Sequence, residues 1–67
     1  MAIMKVVEIL AESSESWEDA TKTAISDAGK TVKNIKSAYV QEQSVVIDNN
    51  QVSKFRVNLK VSFSVQR

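Results

Sequence analysis

The chain contains no cysteine, no histidine, no proline and one glycine in 67 residues. Each absence excludes something. Without cysteine there are no disulfides and no thiolate metal sites, and without histidine there is no imidazole ligand and no histidine general base. The sequence has no 18-residue apolar run, so no transmembrane helix is expected. Residues Met1 to Ala11 include Lys5 and Glu8, which is unlike a signal peptide, and a cytoplasmic location is expected. Nine Lys and Arg against eight Asp and Glu leave the charge near neutral, with no electrostatic case for nucleic acid or a membrane surface. No Gly-rich phosphate loop, H-E-x-x-H or G-x-S-x-G motif is found, no catalytic residue is assigned, and the protein is read as not an enzyme.

What remains is one small domain spanning residues 1–67. A hydrophobic share of 43% with regular spacing argues against disorder. A domain of ~60 residues buries only about 60% of its unfolded surface and is marginal alone. With disulfides and thiolate or imidazole metal sites excluded, self-association is the support left.

Ile3 to Ala11 alternates as a β-branched strand whose two faces are both mostly apolar, so each must be covered or meet another subunit. The next segment carries Ser13 and Ser14 as N-cap candidates, acids at its front (Glu15, Glu18, Asp19), and Lys30 and Lys33 at its back. Trp17, Ala20, Ala24, Ala28 and Val32 recur at steps of three and four, predicting one amphipathic helix from Glu15 to Val32. Trp17 in that stripe reads as a core or interface anchor. Two strands follow, Ser37 to Asp48 and Val52 to Gln66. In the latter Phe55, Val57, Leu59, Val61, Phe63 and Val65 alternate with polar residues. Asn49-Asn50 suits a two-residue type I′ turn, because asparagine tolerates positive φ. That turn predicts Asp48 opposite Gln51, Gln43 opposite Arg56, Gln41 opposite Asn58, Tyr39 opposite Lys60 and Ser37 opposite Ser62. Ala38, Val40, Glu42 and Val46 would then share the helix-covered face with Phe55, Val57, Leu59 and Val61. The fold class is α+β, a β-α-β-β order with a three-stranded antiparallel sheet curled around one helix.

Several stretches taken together resemble the dodecin family: the opening strand, S-x-x-S-W-E-D-A at Ser13 to Ala20, T-V-K-N-I at Thr31 to Ile35, and F-R-V-N-L-K-V-S-F at Phe55 to Phe63. The resemblance covers essentially the whole chain. It implies a subunit that assembles from trimers into a hollow homododecamer and binds or stores a small ligand at subunit seams. Flavins such as FMN or riboflavin are the implied cofactors, stacked on a tryptophan whose position here is Ser37, with a ring-edge glutamine whose position is Arg56. Serine has no π-face and arginine has only donors, so neither supplies the ordinary contact. Ser37, Gln43 and Arg56 are the candidate cofactor-binding residues. With S-W-E on the helix and Arg56 on the last strand, the chain is more similar to a non-flavin branch described as calcium dodecins. Glu15 and Glu42 match positions associated with cations in the family and are the candidate Ca²⁺ ligands. The other reading of Glu42, alone on an otherwise apolar face, is an inter-subunit partner for a lysine or a glutamate at the sheet margin. Arg56, Lys54 and Lys60 form a basic strand face suited to phosphate or carboxylate groups. The alternative reading is a structural or interaction module that carries no ligand.

Overall fold

The computed structural model describes residues 3–65. Along them run β1 (Ile3–Ser13), α1 (Trp17–Ala28), β2 (Ile35–Asp48) and β3 (Gln51–Val65). The sheet order is β1-β3-β2, with β3 antiparallel to both neighbours. The helix carries the chain from one edge of the sheet to the other, and the hairpin returns β3 into the gap. No helix among the described residues is long and apolar enough to cross a membrane. The end of the last strand expected at Gln66 lies outside the described residues.

The helix is shorter than its periodicity predicts, running Trp17–Ala28 rather than Glu15 to Val32. The N-cap is Ser16, whose extended backbone lets its hydroxyl accept from the Asp19 N–H at 2.9 Å. Neither Ser13 nor Ser14 takes that place. Ser13 is buried, accepts from the Glu15 N–H at 2.9 Å, and donates to Asp19 Oδ2 at 2.6 Å. It therefore holds the turn that precedes the helix. At the other end Gly29 follows Ala28, and Lys30 and Thr31 close tight i→i−3 bonds to Asp27 and Ala28. Glycine weakens helix continuation by about 1 kcal/mol relative to alanine, which favours the stop there.

The core is small. Ala20 and Ala24 of α1 lie on Val57, Leu59 and Val61 of β3, with Val7, Ile9, Ala11, Trp17, Ile25 and Ile35 packed around them. Alanine at both helix contacts lets the backbone approach the sheet closely. Much apolar surface stays uncovered in one chain, including Met4, Val6 and Leu10 on the side of β1 away from the helix. The radius of gyration is 13.7 Å, against about 11 Å for a compact globule of this length. The excess comes from the long β2–β3 hairpin.

The hairpin turn forms as expected. Asn49 and Asn50 have φ of 53° and 60°, the left-handed conformations of a type I′ turn, and Asp48 pairs with Gln51. The register beyond it does not hold throughout. A shift between Ile47 and Val46 skips Ser53 on β3, and a second between Glu42 and Val40 skips Gln41 on β2. Between them every partner moves by one, so Arg56 faces Ser44 rather than Gln43, and Asn58 faces Glu42 rather than Gln41. Below Gln41 the expected pairs return, Tyr39 with Lys60 and Ser37 with Ser62. Because side chains alternate with period two, a one-residue slip exchanges faces. Gln43 and Val45 lie on the helix side, opposite Val57 and Phe55, while Glu42 and Val46 lie on the other. Glu42 is thus not a lone carboxylate on the apolar face; it is exposed on the polar one.

Candidate functional site

The face turned away from α1 is organised as rows across three strands. Paired residues place Glu8, Lys60 and Tyr39 in one row, Leu10, Asn58 and Glu42 in the next, and Glu12, Arg56 and Ser44 in the third. Directly opposed side chains on one face are in contact range, so the rows define the chemistry.

In the third row Arg56 Nε donates to Glu12 Oε2 at 2.8 Å, and Arg56 Nη2 donates to the same oxygen. Lys54 Nζ lies 3.7 Å from the other oxygen, Oε1. The hydrogen bonds from Arg56 are the main cause that holds the Glu12 carboxyl below its ordinary value; desolvation opposes them, and the charges of Arg56 and then Lys54 add smaller lowering effects. A depressed carboxyl pKa contributes stability above the ordinary glutamate range, and that contribution is lost as pH falls through the depressed value. Glu12→Gln is therefore expected to lower the melting temperature slightly at neutral pH, the difference vanishing in acid. Thermal melts of both proteins across pH check this, and a gap that persists in strong acid contradicts it.

Next to Arg56 is a depression of about 250 Å³ lined by Leu10, Glu42, Gln43, Ser44, Arg56 and Asn58. Asn58, one of these residues, has a buried Oδ1 with no hydrogen-bond partner among the described residues. A buried acceptor without a donor is costly, so this oxygen is the one buried polar side-chain atom of the lining left to be satisfied. Glu42 forms no ion pair among the described residues. The lining thus brings together Glu42, in no ion pair among the described residues, Asn58 with its unpartnered amide oxygen, and Ser44.

The expected site residues are distributed differently. Ser37 and Arg56 share the polar face, but their β3 positions, 62 and 56, are six residues apart, about 20 Å along the strand. Gln43 lines the depression beside Arg56 and also borders a groove on the helix side, of about 370 Å³, with Trp17, Thr21 and Val40, so it is Ser37 that stands apart. One chain therefore does not unite Ser37, Gln43 and Arg56. Glu15 lies in the link before the N-cap, exposed, and no three acidic side chains of one chain converge among the described residues. Trp17 takes the anchoring role. Its ring meets Phe55 edge-on, with centroids 5.0 Å apart, and its Nε1–H donates to the Ser44 carbonyl at 3.0 Å. Sequence reasoning missed Glu12 and Asn58. The signal for Glu12 is its place on the outward alternation of β1, two residues beyond Leu10, but only the β1–β3 register puts it against Arg56.

The sequence model of the dodecin family matches residues 3–66. The chain belongs to the dodecin family. The calcium dodecin of Mycobacterium tuberculosis is 35% identical over 66 residues, covering 98% of this chain and 93% of that protein. A substituted variant of the Thermus thermophilus dodecin superposes with a TM-score of 0.94 at 28% identity, covering 100% of this chain and 98% of the other. The crystal structure of the M. tuberculosis protein, described as a calcium-chelating immunodominant antigen with a novel calcium-binding site, gives a TM-score of 0.84 at 34% identity. It is aligned over 96% of this chain and 91% of its own. As a dodecin subunit, the chain presents its polar sheet face and both depressions on a scaffold shared across these relatives.

Proposed function

We propose that the protein works as a closed homododecamer, built from trimers, that binds Ca²⁺ through Glu42 and Asn58 on the polar sheet face. The observation that carries this reading is the pairing of the free Glu42 carboxylate with the unpartnered Asn58 Oδ1 in one depression. Calcium takes six to eight oxygens, and carboxylates with amide carbonyls are its usual protein ligands. One chain supplies two of these, with the Ser44 hydroxyl beside them. Water and groups from neighbouring copies, Glu15 among them, complete the set. The similarity to calcium dodecin supports the choice of cation. Binding rather than catalysis is the activity, in keeping with the absence of histidine and cysteine.

Flavin fits less well. Ser37 offers no stacking surface, Arg56 is engaged by Glu12, and the two lie about 20 Å apart in one chain. Visible absorption tests this directly, and a purified protein with near-stoichiometric bound flavin overturns the assignment of Ca²⁺ as the ligand.

Native mass spectrometry and thermal melting in calcium chloride, with EDTA as control, test the proposal. The expected result is twelve subunits with retained calcium. The expected stabilisation is about 2.7 kcal/mol at a calcium concentration one hundred times Kd. Glu42→Gln should remove the calcium-dependent part and leave the subunit number unchanged. A monomer in the spectrometer sinks the assembly, and melts indifferent to calcium and EDTA sink the cation in favour of a ligand-free module.

A further inference from the structure

Arg56 occupies the central strand between two carboxylates. Glu12 is directly opposite it on β1, whereas on β2 its direct partner is Ser44, which makes Glu42 its diagonal neighbour. Diagonal cross-strand neighbours lie about 7–8 Å apart, within reach of a long side chain. Arg56 and Glu42 also line the same depression. The guanidinium is nevertheless turned to β1, where both Nε and Nη2 are spent on Glu12 Oε2. Other charges do not reproduce this choice. Lys54 already lies on Glu12 and is opposite Val46, further along the sheet from Glu42. Lys60, the second cation diagonal to Glu42, has Glu8 directly across from it on β1.

We infer that Glu12 is a positioning residue whose carboxylate holds Arg56 away from Glu42, and thereby keeps the Glu42–Asn58 depression open to a cation. The inference rests on the calcium reading above and adds the control of that site. With Glu12 neutral, the nearest carboxylate to the Arg56 fork is Glu42, and a charge-assisted pair forms there instead. Such a move occupies the cation's carboxylate and sets a fixed positive charge in the depression. Both effects oppose a divalent ion. Glu12 thus governs binding without touching the ion.

The test compares four full-length assemblies: wild type, Glu12→Gln, Arg56→Gln and the double substitution. Calcium chloride titrations by calorimetry give affinity, and a calcium-free crystal structure of the Glu12→Gln protein locates Arg56. Glu12→Gln is expected to weaken calcium about fivefold or more, the scale of an exposed ion pair plus the added repulsion. Arg56→Gln, alone or in the double substitution, should bind at least as tightly as wild type. The Glu12→Gln crystal structure should show the guanidinium on Glu42. Unchanged affinity in Glu12→Gln overturns the inference, and so does a double substitution as weak as the single. Should wild type take up no calcium, the calcium reading fails, while the crystal structure still decides the positioning role: Arg56 remaining on the β1 side refutes it.

Discussion

Leu59→Asp is expected to abolish the folded assembly. Leu59 has no exposed surface; it lies mid-way along the central strand, between Ile9 and Val40 on the flanking strands and in one buried cluster with Ala20 and Ala24 of the helix. The substitution forfeits the burial of a leucine side chain, about 1.5–3 kcal/mol. It also strands a carboxylate among alkyl groups, with an effective penalty of several kcal/mol after relaxation. Small domains have total stabilities near the low end of about 5–15 kcal/mol. The two losses together reach that margin. Circular dichroism should show loss of the helix and sheet signals, and size-exclusion chromatography loss of the assembled species. Leu59→Met conserves volume and is expected to cost less than about 1.5 kcal/mol, which separates the buried charge from mere substitution. A Leu59→Asp protein that elutes and absorbs like wild type would mean this strand face is not the core.

Trp17→Ala is the second large effect. The helix rests on β1 and β3, whereas β2 receives the Trp17 indole through the hydrogen bond to the Ser44 carbonyl. The same ring packs edge-on against Phe55, beside the start of the hairpin arm. Truncating a well-buried tryptophan costs about 3–5 kcal/mol, and this partly buried one is expected to lose about 2–4 kcal/mol. Aromatic pairing accounts for about 0.5–1.5 kcal/mol of that beyond area. Trp17→Phe keeps a ring for Phe55 but removes the donor, so it should recover most of the loss and fall short by about 1 kcal/mol. Chemical denaturation of the three proteins gives the ordering. Hydrogen exchange should localise the Trp17→Ala weakening to the helix start and the Val45–Phe55 region. Equal stability of the phenylalanine and alanine variants contradicts the ring's role.

Much of the architecture is legible in the sequence alone. The alternation from Phe55 to Val65 named the residues of β3 that enter the core, and Val57, Leu59 and Val61 are the ones fully enclosed. The alanine spacing named the helix face, since Ala20 and Ala24 meet those residues. Asn49-Asn50 named the turn. The helix ends were less legible, because Ser13, Ser14, Glu15 and Ser16 in succession compete for the cap and only packing selects Ser16.

The site was less accessible still. A bulge leaves little trace in composition, and Gln41 and Ser53 are ordinary strand-surface residues. Counting outward from the turn therefore carried Glu42 to one face and Gln43 to the other, the reverse of their true places. Likewise nothing local links Glu12 to Arg56, 44 positions away. Periodicity is written by nearest neighbours, and so the amino-acid order by itself determined the elements, their sequence along the chain and the core residues of β3. Register is settled between strands, where shifting by one residue trades faces and is decided by how the helix and all three strands pack together. For that reason only the tertiary structure could put Glu42 beside Asn58 and Arg56 in the grip of Glu12.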